Sequence, residues 1–191
     1  MKIKMKLSFL KSLRFRVMVL LVIIGILPCI IAESVIVSSY ENRAVELKNI
    51  SVKNQCDILG KQLMKEEYLK YPQSEVINSE LAMFSSVFSG RILVINRDGR
   101  IVKDTYDIDE GKYVLSEAVI KCFEGENTGY YDKDNSYIVQ TVPLKNMINK
   151  QVEGVMLISI STSDIKDSIA ILRHRANLLL LIICVFVLIL G

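Results

Sequence analysis

The chain is short of histidine and proline, and its cysteines never fall at metal-binding spacing. Its one histidine, His174, leaves residues 38–173 without any, which speaks against a Ser/His/Asp hydrolase or a histidine metal centre there. The four cysteines, Cys29, Cys56, Cys122 and Cys184, form no C-x-x-C, so zinc and redox motifs are missing as well. Ordinary apolar packing accounts for all four, with a Cys56–Cys122 disulfide as the alternative in an oxidising compartment. No Gly-rich phosphate loop occurs, so no catalytic residue and no cofactor site is expected within these 191 residues.

What is present is apolar residue, 51% of the chain, concentrated at the two ends. The net charge of +3 is also uneven. Residues 1–16 carry six basic residues and no acid, leaving 18 basic residues against 21 acids in the rest. The basic tip reads as a topology signal, since Lys and Arg beside a membrane span stay in the cytoplasm. A short nucleic-acid-binding arm is the rival, and no nucleic-acid partner is expected.

Residues 17–37 form the first hydrophobic run, in which Glu33 is the one charged residue. At about 1.5 Å per residue it reaches roughly 30 Å, the thickness of a bilayer core. Pro28 should kink this helix rather than end it. A cleaved signal peptide is the alternative, but the run is long and no A-x-A site follows. The second run, 176–191, is apolar apart from Asn177 and predicts a second span of about 24 Å. It is short for a full crossing, which predicts a cytoplasmic portion beyond it. Arg173 and Arg175 precede this span on the outer side, against the positive-inside tendency.

Between the runs, residues 38–70 contain no proline and repeat Val45, Val52 and Leu59 at seven, with Cys56 and Leu63 four after. That stripe either pairs with a partner subunit or covers a sheet. Tyr71-Pro72 should end the helix. A shorter helix is predicted over 75–88. Strands at 91–96 and 101–105 flank Asp98-Gly99, a tight-hairpin signal. A helix over 115–123, opened near Ser116 or Gly111, and strands at 129–132, 137–143 and 152–161 follow. Ser161-x-x-Asp164 reads as a capping box for a last helix, with Ile165, Ile169 and Leu172 on one face. The order predicts an α+β domain with a five-stranded antiparallel sheet and a long N-terminal helix, flanked by two transmembrane helices.

The stretch 92–105, then Gly125-Glu-Asn-Thr-Gly129, Tyr137 to Pro143 and Gly154 to Ser161, resembles the extracytoplasmic PAS-like (Cache) domains of membrane-bound sensor histidine kinases, most closely those of Gram-positive bacteria. The resemblance spans roughly 38–175. It implies a cytoplasmic tail at 1–16, spans at 17–37 and 176–191, and an outer sensor domain at 38–175. It further implies a homodimer that detects an extracellular ligand or envelope signal and acts on a response regulator. ATP and Mg are implied only for a kinase domain beyond this segment. Ligands in related domains lie against the sheet, so the candidate lining is Arg91 as an anion partner with Tyr106, Tyr131, Tyr137 and Gln140. Strand tyrosines also serve simply as packing residues with a wet hydroxyl. The same sensor layout fits a chemotaxis receptor or a cyclic-dinucleotide synthase, and a non-signalling membrane scaffold is the reading from another class. His174 lacks the acidic and proline neighbours of a phosphoacceptor and reads as an interfacial residue.

Overall fold

A computed structural model describes residues 13–190. The basic tip, apart from its last residues, and Gly191 lie outside that range. The chain divides into two compact units. One is formed by residues up to Arg43 together with those from Lys166 onward, the other by Ala44–Ile165.

Helix α1 runs from Leu13 to Lys65 without a break, and Pro28 lies inside it. The proline removes one backbone donor, but the apolar residues on both sides keep the helix going. The last helical residue is Lys65 rather than Lys70. Residues 66–71 instead wind through turns in which Glu67 takes a positive φ and the Tyr68 amide donates to the Leu63 carbonyl. Helix α2 covers Glu75–Phe88, and Ser89 closes it in the left-handed region.

Five strands follow: β1 Gly90–Asn96, β2 Ile101–Asp104, β3 Gly129–Asp132, β4 Tyr137–Lys145 and β5 Val152–Ser161, with a short helix α3 at Glu117–Phe123 between β2 and β3. They make one antiparallel sheet in the order β2-β1-β5-β4-β3. The Asp98-Gly99 turn forms as expected. Gly99 sits at φ +79°, and the Asn96 side chain accepts from the amides of Asp98 and Arg100. Ser116 is the residue that caps α3, accepting from the Val119 amide at 3.3 Å.

The stripe on α1 is resolved in favour of the sheet. Val52, Cys56, Leu59 and Leu63 are buried with Ile77, Leu81 and Phe84 of α2 against Ile92, Val94, Met156, Ile158 and Ile160. Burying side chains of this size contributes about 2 kcal/mol each. The opposite face of the sheet packs Leu93, Ile95 and Val155 against Val119 and Cys122 of α3. Cys56 and Cys122 therefore lie on opposite sides of the sheet, both as free thiols.

Helix α4 covers Ser163–Leu190. The capping box does not form. The Ser161 hydroxyl accepts from the Ser163 amide, only two residues on, and Asp164 turns to Lys48 instead. The helix begins one residue later than a Ser161 cap would require, because Ser161 is still paired in β5, opposite Tyr137.

Candidate functional site

The sheet presents a row of side chains across four strands. Arg91 pairs with Ser159, Ser159 with Val139, and Val139 with Tyr130, so all four project from one face. That face is the one α3 covers further along, where Leu93 and Ile95 meet Val119 and Cys122. Ser159 and Val139 are half-buried, and Tyr130 is exposed. Tyr137, two residues from Val139, extends the same surface. Strand spacing of about 4.8 Å sets Arg91 and Tyr130 roughly 14 Å apart, the span of a small molecule. The shelf thus has a guanidinium at one end, two phenols at the other, and a hydroxyl and an isopropyl group between.

Arg91 is held rigidly. Its Nε and Nη2 donate to the two oxygens of Asp104 at 2.9 and 2.5 Å, and Nη2 also donates to Asp109 at 2.6 Å. The Tyr106 ring centroid lies 5.9 Å from the guanidinium carbon. Asp104 is fully buried and accepts besides from the backbone amides of Tyr106, Ile108 and Asp109. Burial opposes its ionisation. The Arg91 bond and those three amides outweigh burial and hold its carboxyl well below the usual carboxylate range. The Asp104 bond leads in pushing the Arg91 guanidinium the other way, upward.

The loop after β2 is stitched down by the same residues. Lys103 donates to Asp107 at 2.8 Å and to Glu110, and Lys112 to Asp109 at 2.7 Å. The Glu110 carboxylate also accepts from the Asp104 amide. The loop that borders the shelf is fixed in place by charge-assisted bonds rather than by apolar contacts.

The five residues expected to line a pocket do not form one cluster. Arg91, Tyr106 and Tyr137 belong to the α3 face. Tyr131 pairs with Ile138 and so shares the α1 face with Gln140, which is buried and donates to the Asn49 carbonyl of α1 at 3.3 Å. The expectation of Arg91 as a free anion partner also changes, because two carboxylates already flank it. Among the described residues only its Nη1 has no partner. Asp104, Asp109, Ser159, Val139 and Tyr130 were missed. A basic residue at the same period-2 positions as the apolar Leu93 and Ile95 is the sequence signal that could have pointed to an internal carboxylate. For Tyr130 and Tyr131, strand alternation requires opposite faces, and only the pairing register says which is which.

No protein-family model matches the sequence, and no curated protein does. Solved structures do. The sensor domain of the V. cholerae histidine kinase DctB superposes with a TM-score of 0.58 at 14% identity, over 76% of this chain and 59% of that one. The fold is that of a PAS-like sensor domain. The chain spans about three-fifths of the DctB domain it matches. The E. coli DcuS sensor domain matches at 15% identity and a TM-score of 0.49, over 65% of this chain and 98% of that one. The narrower likeness to Gram-positive kinases finds no support in the V. cholerae match. In this chain the long helix covers one face of the sheet, and the short helix with its loop covers part of the other.

Proposed function

We propose that the chain is the sensory and transmembrane part of a homodimeric sensor histidine kinase, with residues 38–175 outside the membrane and spans at 17–37 and 176–191. Residues 1–16 are the cytoplasmic tail, and the response regulator is reached through a kinase domain that supplies the ATP and Mg site. The carrying observation is that both long apolar helices belong to the same chain as a PAS-like sheet. Within Ile23–Lys65 and Ser163–Phe186 lie windows apolar enough to cross a bilayer, and almost none of that surface is buried. Ile23, Ile24, Leu27, Leu178, Leu179 and Leu181 stand more than half exposed, a surface that water disfavours and lipid accepts.

The ligand lies on the shelf. Arg91 Nη1 and the Ser159 hydroxyl are its polar contacts, and Tyr106, Tyr130 and Tyr137 its aromatic ones. A ligand acts only through different affinities for two arrangements of the domain. The lever for that difference is short: β5 ends at Ser161 and α4 begins at Ser163. Homodimerisation fits the apolar residues that α1 and α2 leave exposed beside their own cleft of about 230 Å³, Ile58, Met83 and Val87 among them.

Two measurements test this. Protease added to intact cells should cut within 38–175 and spare the tail at 1–16. The chain in bilayer nanodiscs, melted against a panel of metabolites, should be stabilised by at least one, and Ser159→Trp, which fills the shelf, should abolish the shift. A protected middle segment refutes the topology. Stabilisation that survives Ser159→Trp moves the ligand elsewhere.

A further inference from the structure

We infer that Glu33 joins two copies of this chain by pairing with Arg173 and Arg175 of the partner subunit. The inference rests on the membrane-spanning, homodimeric reading above and adds the residues that make the contact. Glu33 lies in α1, inside a groove of about 340 Å³ whose other walls are apolar, with Ala32 and Ile36 on α1 and Leu172, Ala176 and Leu179 on α4. It is the one acid in the run 17–37. Among the described residues it makes no ion pair. A carboxylate facing an apolar groove in a span is costly unless a cation meets it.

The cations lie on the stretch of α4 that borders the groove at its outer end. Arg173, His174 and Arg175 sit between Leu172 and Ala176, two α4 residues that line the groove. At about 100° per residue, Arg173 and Arg175 fall roughly a quarter turn to either side of the groove line, and His174 points away from it. All three are exposed, and among the described residues neither arginine meets a carboxylate. Both therefore flank the groove rather than enter it, and in the inferred dimer they meet the Glu33 of a second copy. A two-fold dimer makes the contact twice, Glu33 of each copy against the arginines of the other. The same pairing accounts for two arginines on the outer side, which the positive-inside tendency leaves without a reason. The occupant is a second copy because the complementary charge lies on this chain, on the residues that flank the groove.

The test uses two full-length chains with opposite fluorescent labels, co-reconstituted in liposomes. One carries Glu33→Lys and the other Arg173→Glu with Arg175→Glu. Each alone opposes like charges across its dimer, whereas the mixed pair restores both contacts. Energy transfer should show the mixed dimer exceeding each homodimer roughly tenfold, against about twofold for random pairing. Glu33→Gln, which adds no repulsion, should weaken the homodimer without favouring either mixture. Random pairing of chains that stay in the bilayer overturns the inference and leaves the membrane reading standing. Recovery of the homodimer in a single chain carrying all three changes, with random pairing of the two-chain mixture, places the contact within one copy and equally overturns it. Chains that alkaline carbonate strips from the bilayer refute the membrane reading itself.

Discussion

Lys48 of α1 donates to the Asp164 carboxylate at 2.7 Å and to the Ser161 carbonyl at 2.8 Å, so one ammonium group ties the long helix to both sides of the turn from β5 into α4. The Lys48 side chain is mostly buried, whereas Asp164 is exposed. Beside the clamp, the Thr162 hydroxyl is buried without a partner among the described residues. The turn is thus held by a bond that water can weaken from one side only.

Lys48→Met should lower the unfolding free energy of the chain by about 1 kcal/mol, with the loss coming from the carbonyl bond more than from the exposed ion pair. Asp164→Asn should cost less. A double-mutant cycle read by denaturant midpoints checks this: a coupling energy near zero would show that the pair contributes nothing beyond the carbonyl bond. In the intact receptor proposed above, Lys48→Met should also shift the basal output.

Arg91→Ala should be more severe, about 3 kcal/mol, because it leaves the buried Asp104 carboxylate without its cation. Arg91→Lys should recover only part, since an ammonium cannot span both Asp104 oxygens as the guanidinium fork does. The pH dependence carries the same signature. The Asp104 carboxyl titrates below the ordinary value of 3.8 in the folded chain, so its stabilisation is complete above that value. It is lost as pH falls from there toward the lower folded value. Denaturant midpoints from about pH 6 down to about pH 3 should drop for the native chain, and Asp104→Asn should flatten the last part of that fall. An unchanged slope in Asp104→Asn would assign the acid sensitivity elsewhere.

Gly154→Ala should destabilise by about 2 kcal/mol through overpacking. A methyl there would stand 2.6 Å from the Ile95 carbonyl oxygen and 2.9 Å from Leu69 Cδ1, and the first of these is backbone that cannot swing aside. Leu69→Ala in the same chain should relieve only the second clash. Recovery of full stability in that double variant would argue against the backbone contact.

Cys56 and Cys122 should stay unreactive in the folded chain. Burial, helped by nearby Asp57, pushes the Cys56 thiol up to about 12, and burial likewise raises that of Cys122. Oxidation followed by a non-reducing gel should show no intrachain disulfide between them, and a maleimide should label them only after denaturation. A shifted band from native oxidised protein would contradict their placement on opposite faces.

Much of the element order was legible because it rests on local physics. The Asp-Gly turn after β1, the Ser116 cap of α3 and the period change from α2 to β1 are written in residues a few positions apart. The α1 stripe was legible as a buried face, but whether the sheet or a partner subunit buried it was not. Either partner wants the same apolar spacing. The capping box failed for a related reason. Ser161 and Asp164 are a sound local signal, yet strand pairing held Ser161 in the sheet, and a lysine more than a hundred positions away captured Asp164.

By itself, the sequence determined where the chain is apolar, where it turns and which segments alternate as strands, since those follow from neighbours along the backbone. Tertiary structure alone decided which face each strand residue occupies, and so it separated Gln140 and Tyr131 from Arg91 and brought Asp104 and Asp109 to it. Register between strands is set by contacts distant in sequence, and a shift of one residue would exchange every side chain between the two faces.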